Sequence, residues 1–269
     1  MTYKIAIYNA IGGPGKTTVT KELAAALAET GDKVLVIDLD AQGHLTKSVG
    51  KRNLYLQKSP NLYHCLLAEG SHTLRDLLYA LDNERFTLLP SNYQMLLAEQ
   101  ALTPLRGREW VLRERLKQLE NEFEWILMDC PPYLGIVSDN ALAASQRTII
   151  PVETDEKSVE ALELLLDQIE SLENALSITV EVLAIVPNKT RPTKVSVEVL
   201  DEFRELSQVV TPFTLPRREI YQNAWRENRT VFAYEPTSHD QKKAKLEVME
   251  DYKNLAQLVI KKVKELTYD

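Results

Sequence analysis

The chain has 269 residues, 44% of them hydrophobic, with 32 Lys and Arg against 39 Asp and Glu for a formal net charge of −7. That composition supports a core sized for one large α/β domain or two small ones, and it excludes disorder, collagen and coiled coil as the main architecture. Two cysteines, Cys65 and Cys130, are too few for a disulfide framework, the opening MTYKIAIYN reads as a strand rather than a secretory signal, and no apolar run approaches the roughly 18 residues that span a bilayer. A cytoplasmic protein is expected. In chain order, β-rich apolar runs fall at residues 4–9, 33–39, 86–89, 125–129, 148–152, 180–186 and 209–214, and helical spacing falls at 16–29, 108–121, 159–172 and about 240–266. This alternation predicts an α/β fold, a mostly parallel twisted sheet with helices on both faces. No hinge, repeat or low-complexity tract divides it, so residues 1–269 are expected to form a single domain. From residue 187 onward 15 Lys and Arg stand against 13 Asp and Glu, a local excess of cations in an acidic chain.

The densest signal is Asn9-Ala10-Ile11-Gly12-Gly13-Pro14-Gly15-Lys16-Thr17-Thr18, directly after the first strand and opening the first helix. Glycines let backbone N–H groups turn inward around phosphates, and a helix N-terminus adds positive potential. Lys16 is then placed to reach the β- and γ-phosphates of a nucleotide and the Thr17 hydroxyl to bind Mg²⁺, with Gly12, Gly13, Pro14, Gly15 and Thr18 completing the cradle. Ala10 breaks the strict G-x-x-x-x-G-K-[ST] pattern, but strand, loop and helix follow in the order that motif demands. Asp38-Leu39-Asp40 ends the second strand at the carboxyl edge of the sheet, where open α/β sheets bind ligands. Asp38 is the candidate to orient and activate water, and Asp40 a candidate cation ligand opening a switch segment. The run Trp125-Ile126-Leu127-Met128-Asp129 ends in an acid suited to hold Mg²⁺ directly or through water. Cys130 reads as a small buried hydrophobe, and His44, His64, His72 and His239 lack zinc spacing.

These residues resemble the ParA/MinD branch of P-loop ATPases, whose phosphate loop has the form KGGxGKTT. Beyond Gly12 to Thr18, the blocks Asp38-Leu39-Asp40-Ala41-Gln42-Gly43, Leu88-Leu89-Pro90-Ser91-Asn92, Asp129-Cys130-Pro131-Pro132, Asp139-Asn140-Ala141-Leu142, Ile150-Pro151-Val152 and Leu215-Pro216-Arg217 follow in the family's order. The resemblance implies a P-loop NTPase that binds ATP and Mg²⁺, closes into a homodimer with nucleotide between the subunits, and resets through slow hydrolysis stimulated by a partner. It also implies Asn188 against adenine, with Pro216 and Arg217 on the far side of the base; as the residue after Pro187, Asn188 fits a turn equally well. One position departs. The family's signature lysine, which crosses the dimer to phosphate, belongs immediately before Gly12, and this chain has Ile11, which cannot neutralise phosphate. Lys157, in the loop after the strand at 148–152, is the candidate to reach across instead, the plain alternative being a solvated lysine at a helix start. Loss of that lysine is similar to the McdA subgroup, cyanobacterial ATPases that distribute carboxysomes over the nucleoid.

Members of the family in the ATP state bind nonspecific DNA or a membrane. Arg191, Lys194, Arg217, Arg218, Arg226, Arg229, Lys242, Lys243 and Lys245 together offer cations for a salt-dependent phosphate grip without base readout, although any one of them taken alone reads as a solvated surface charge. Leu255, Leu258, Val259, Val263 and Leu266 form an apolar stripe, of a kind more often packed on its own domain than laid on a membrane. Location on nucleoid DNA is therefore expected, with release triggered by an McdB-like or ParB-like adaptor. The chain starts at its first strand, so an N-terminal helix-turn-helix extension is not expected. Plasmid or chromosome partition, a MinD-like membrane-associated ATPase and a non-hydrolysing nucleotide scaffold remain open, the last because Pro14 offers no N–H to phosphate. Cys65 and Cys130 are not placed as in cluster-bearing relatives such as nitrogenase iron protein.

Overall fold

The strands of this chain are apolar on consecutive residues rather than alternate ones, the pattern of a sheet covered on both faces. A computed structural model describes residues 1–56, 60–68 and 72–268, excepting the side chains of 267 and 268. Its strands are β1 (Tyr3–Ile7), β2 (Val34–Asp38), β3 (Tyr79–Ala80), β4 (Thr87–Leu89), β5 (Trp125–Asp129), β6 (Arg147–Glu153), β7 (Glu181–Thr190) and β8 (Leu215–Pro216). They form one sheet in the order β3-β4-β2-β5-β1-β6-β7-β8, parallel throughout except for the edge pair β3-β4. Every residue of β2 and β5 is buried, as two-sided cover requires.

Each face carries its own core. On one, Val19, Leu23 and Leu27 of helix Lys16–Glu29 meet Val248, Tyr252, Leu255 and Val259 of the last helix, His239–Tyr268. Burying each such side chain contributes about 1.5–3 kcal/mol relative to exposure. Of the expected stripe, Leu255, Val259 and Val263 are fully buried there and only Leu266 is exposed, so this face is spent on the domain itself. The opposite face packs helices Ile136–Ser145, Lys157–Leu176 and Lys194–Leu206. Among the described residues no helix is long and apolar enough to cross a membrane.

Two expected elements are corrected. Residues 209–214 do not form a strand: Ile185 and residues Val209 and Thr211 exchange two ladder hydrogen bonds, then Pro212 offers no donor and the Thr211 hydroxyl turns onto Phe213 O at 2.6 Å. Pairing resumes only at β8, beside Asn188 and Thr190. The helix expected at 108–121 is instead a 3₁₀ turn at Arg108–Trp110, a short α-helix at Val111–Leu116 and a second 3₁₀ turn at Lys117–Leu119. Asn140 causes the first break, because its side chain bridges Arg108 O (2.7 Å) and Leu112 N–H (2.9 Å), the two groups that would have bonded each other in a continuous helix. The strand β7 also runs four residues past 186, so Asn188 lies within it. The two-residue β3 has no counterpart in the sequence reading.

Candidate nucleotide site

The loops after β1, β2, β5 and β7 leave the same edge of the sheet, and β1 lies between β5 and β6, so the chain reverses its winding direction there. Crevices at that point are where open α/β sheets bind ligands. Helix Lys16–Glu29 begins with Gly15 at φ +89°, has no side-chain cap and carries no acidic residue in its first turn. Its first N–H groups are left without intrahelical partners, an arrangement suited to an anion. A Cβ at Gly15 would overlap the Asn188 amide, so glycine is required there both for its φ and for the close approach.

The loop's own carbonyls hold its lysine. Lys16, 7% exposed, donates to Asn9 O (2.8 Å) and Ile11 O (2.9 Å). Burial pushes its pKa below the usual lysine range, against the opposing pull of Asp129, Cys130 and Asp40. Thr17 donates to Asp129 Oδ2 at 2.7 Å, while the other oxygen, Oδ1, is buried with no hydrogen-bond partner among the described residues. Burial and the nearby Asp38 hold the Asp129 carboxyl well above the carboxylate range. An orphaned carboxylate oxygen beside a threonine hydroxyl fits a hard divalent cation or its water. No three described His, Cys, Asp or Glu side chains assemble into a metal cage.

Asp38 is wholly buried. Its Oδ2 accepts from Thr46 N–H (2.8 Å) and the Thr46 hydroxyl (2.6 Å), and its Oδ1 accepts from Asp40 N–H (3.2 Å). Burial nevertheless pushes its pKa up to about 7. Asp40 accepts from Gln42 N–H at 2.9 Å and stands 3.9 Å from His44 Nδ1. Ser91 ties this segment down, its N–H on the Thr46 hydroxyl and its hydroxyl on Asp40 O. Cys130 is fully buried and its thiol pKa is driven up by burial and Asp129, the state of an inert core thiol.

Two cavities meet along this edge. One, of about 470 Å³, is lined by Gly12, Gly13, Gly15, Lys16, Thr17 and Asp40. The other, of about 830 Å³, is lined by Thr18, Asn188, Pro216, Arg217 and neighbours. Trp225, which the sequence reading passed over, lines both. Asn188 donates to Pro14 O at 2.7 Å and so faces the loop. Lys157 is exposed at the start of its helix and lines neither cavity.

The expected DNA residues are dispersed. Arg191, Arg218 and Arg226 line the larger cavity beside Arg217, with Arg218 paired to Glu247. Arg229 donates to Ala233 O, Lys245 to Tyr234 O, and Lys194 pairs with Glu198. Lys242 and Lys243 are exposed in the first turn of the last helix. Lys189 is a further cation missed from sequence, a single lysine in no periodic pattern, and it donates to Gly13 O and Glu153.

Known proteins share this architecture. The family profile of the AAA domain matches residues 2–182. The sporulation initiation inhibitor protein Soj of Bacillus subtilis is 31% identical over 203 residues, covering 75% of this chain and 78% of Soj. Cobyrinic acid a,c-diamide synthase of Mycobacterium smegmatis, solved with ADP and magnesium, is 30% identical with a TM-score of 0.74, covering 84% of this chain and 92% of that one. McdA of Cyanothece, solved with ATP, is 23% identical with a TM-score of 0.82 and 96% of each chain covered, a likeness of fold.

Proposed function

The chain belongs to the ParA/MinD family of P-loop ATPases, and from that premise we propose that it is a Mg²⁺-dependent ATP hydrolase whose nucleotide state controls where it sits in the cell. The observation that carries the reading is the uncapped helix start at Gly15 with Lys16 folded onto its own loop, beside the Thr17–Asp129 pair and its unpartnered oxygen. Phosphates entering the 470 Å³ cavity give Lys16 an anionic partner in place of two carbonyls and give the bare amides acceptors. Thr17 and Asp129 would hold Mg²⁺, with Asp40 near, and the cation would offset the negative charge of the phosphates. Asp38 is the group to orient water, and it becomes free to do so when the segment from Asp40 to Thr46 releases its oxygens. The base then lies in the larger cavity near Asn188, Pro216 and Arg217.

In this reading two ATP-bound copies close on each other, bind nonspecific nucleoid DNA through cations drawn from Arg191, Lys194, Arg218, Arg226, Arg229, Lys242, Lys243 and Lys245, and position a cargo that an adaptor links to hydrolysis. Ile11 in place of the family's signature lysine, the departure that resembles the McdA subgroup, is the ground for carboxysomes as cargo, through an McdB-like adaptor. The similarity to Soj supports the second reading, chromosome or plasmid partition with a ParB-like adaptor. A membrane role through the last helix is disfavoured by the burial of Leu255, Val259 and Val263. Binding to a nonspecific duplex with ATP, ADP and no nucleotide, for wild type and Asp38→Ala, tests the reading. ATP-only binding that is stronger in the variant supports it, and no binding with any nucleotide overturns the DNA arm. Stimulation of turnover by an McdB-like but not a ParB-like protein separates the two cargoes.

A further inference from the structure

Two consecutive residues of β7 grip two consecutive carbonyls of the phosphate loop. Asn188 Nδ2 donates to Pro14 O, and Lys189 Nζ donates to Gly13 O and, at 2.9 Å, to Glu153 Oε1. The Asn188 oxygen accepts Lys189 N–H at 2.9 Å, so both polar ends of Asn188 are used in building this clasp. Lys189 holds φ at 53°, left-handed backbone that a side-chain-bearing residue keeps only where its surroundings fix it.

The peptide geometry gives each grip a consequence. A trans peptide points its C=O and N–H in opposite directions. Fixing Pro14 O toward β7 therefore turns Gly15 N–H away from β7. Fixing Gly13 O orients no further donor, because Pro14 has no N–H. What Lys189 brings to the loop is charge. Ile11 brings none, and Lys157 lies on neither cavity.

We propose that Lys189 is a positioning residue of the nucleotide site, clasping the phosphate loop within its own subunit and supplying the positive charge that position 11 lacks. Glu153 tempers that charge. The side chains of Lys189 and Glu153 are 41% and 35% exposed, so solvent weakens their pairing and part of the ammonium's field still acts on the loop it holds. This inference rests on the nucleotide reading above.

The test is ATP affinity of the full chain with Mg²⁺, measured by displacement of a fluorescent ATP analogue, for wild type, Lys189→Met, Lys189→Arg and Glu153→Gln. Lys189→Met is expected to weaken ATP about tenfold, the scale of one charge-assisted hydrogen bond. Lys189→Arg restores affinity to within about threefold of wild type, because guanidinium supplies the same charge and donors. Glu153→Gln tightens binding at low salt, and the gain fades as salt rises. Wild-type affinity in Lys189→Met overturns the proposal, as does a loss that Lys189→Arg fails to rescue or a weakening in Glu153→Gln. Those results leave a wild type that binds ATP, so the cavity reading survives them. A wild type that binds no nucleotide removes both.

Discussion

Asp38 shows how a single buried carboxylate ties chemistry to pH. Three hydrogen bonds favour its ionised form, yet burial wins and lifts its pKa to about 7. In the proposed mechanism the carboxylate form orients water, so ATP turnover at saturating substrate should rise with pH through the region near 7 and level off above it. Thr46→Val removes a donor to that carboxylate, which raises the pKa further, and the rising limb should move to more alkaline pH in a phosphate-release profile. Asp38→Ala should lower turnover by about a hundredfold or more while ATP binding persists. Stability follows the same acids with the opposite sign. Glu22 and Asp139 are likewise raised, to about 7 and about 6. Folded-state pKa values above the unfolded ones give stability that is present below about pH 4 and is lost as pH climbs through the folded values. The nucleotide-free protein should therefore melt at a lower temperature at pH 7 than at pH 5, a trend checked by calorimetry.

At the scale of elements, the phosphate-loop helix is locked to the segment after Trp225 by buried charge. Lys21 and Glu22 are 2% and 0% exposed and 3.8 Å apart; Lys21 donates to Arg229 O, and Glu22 accepts Val231 N–H. Lys21 also sits 5.3 Å from the Trp225 ring centre, so the wall common to both cavities rests on this pair. At pH 8, above the raised Glu22 pKa, Lys21→Met and Glu22→Gln should each destabilise by about 3 kcal/mol, since either strands a buried charge, whereas the double variant should lose less than the sum. Chemical denaturation of the four species measures the difference. The sequence made the central strands and the first helix legible because their apolar residues are continuous and the glycine-rich turn sits between them. It misled at 209–214, where β-branched residues surround Pro212, and at 108–121, where helical periodicity gave no hint that Asn140, distant in sequence, would enter the hydrogen-bond ladder. The candidate acids Asp38 and Asp129 were legible because each ends an apolar strand. Lys189 and Trp225 were not, because their places depend on how β7 and the segment after β8 fold back on the loop.

For the whole molecule, the proposed function asks an acidic chain of net charge −7 to present phosphates to a second copy and cations to DNA. Position 11 isolates the first half of that problem. The Ile11 side chain is 42% exposed, while its backbone is fixed independently, N–H on Asn9 Oδ1 and carbonyl on Lys16. Replacing such a side chain leaves the fold nearly untouched, within about 0.5 kcal/mol. Ile11→Lys and Ile11→Glu therefore place opposite charges at one point, next in sequence to Gly12 of the 470 Å³ cavity. If two copies close on nucleotide there, Ile11→Lys should strengthen ATP-dependent self-association and Ile11→Glu should weaken it, each by about tenfold, as for a charge facing phosphate in a partly desolvated interface. Sedimentation velocity of both variants with ATP and with ADP reads this directly. The ADP runs should match wild type, because the attraction is to the terminal phosphate of a closed pair. Equal behaviour of the two variants with ATP would place position 11 outside the contact and leave the closing charge to groups such as Lys157.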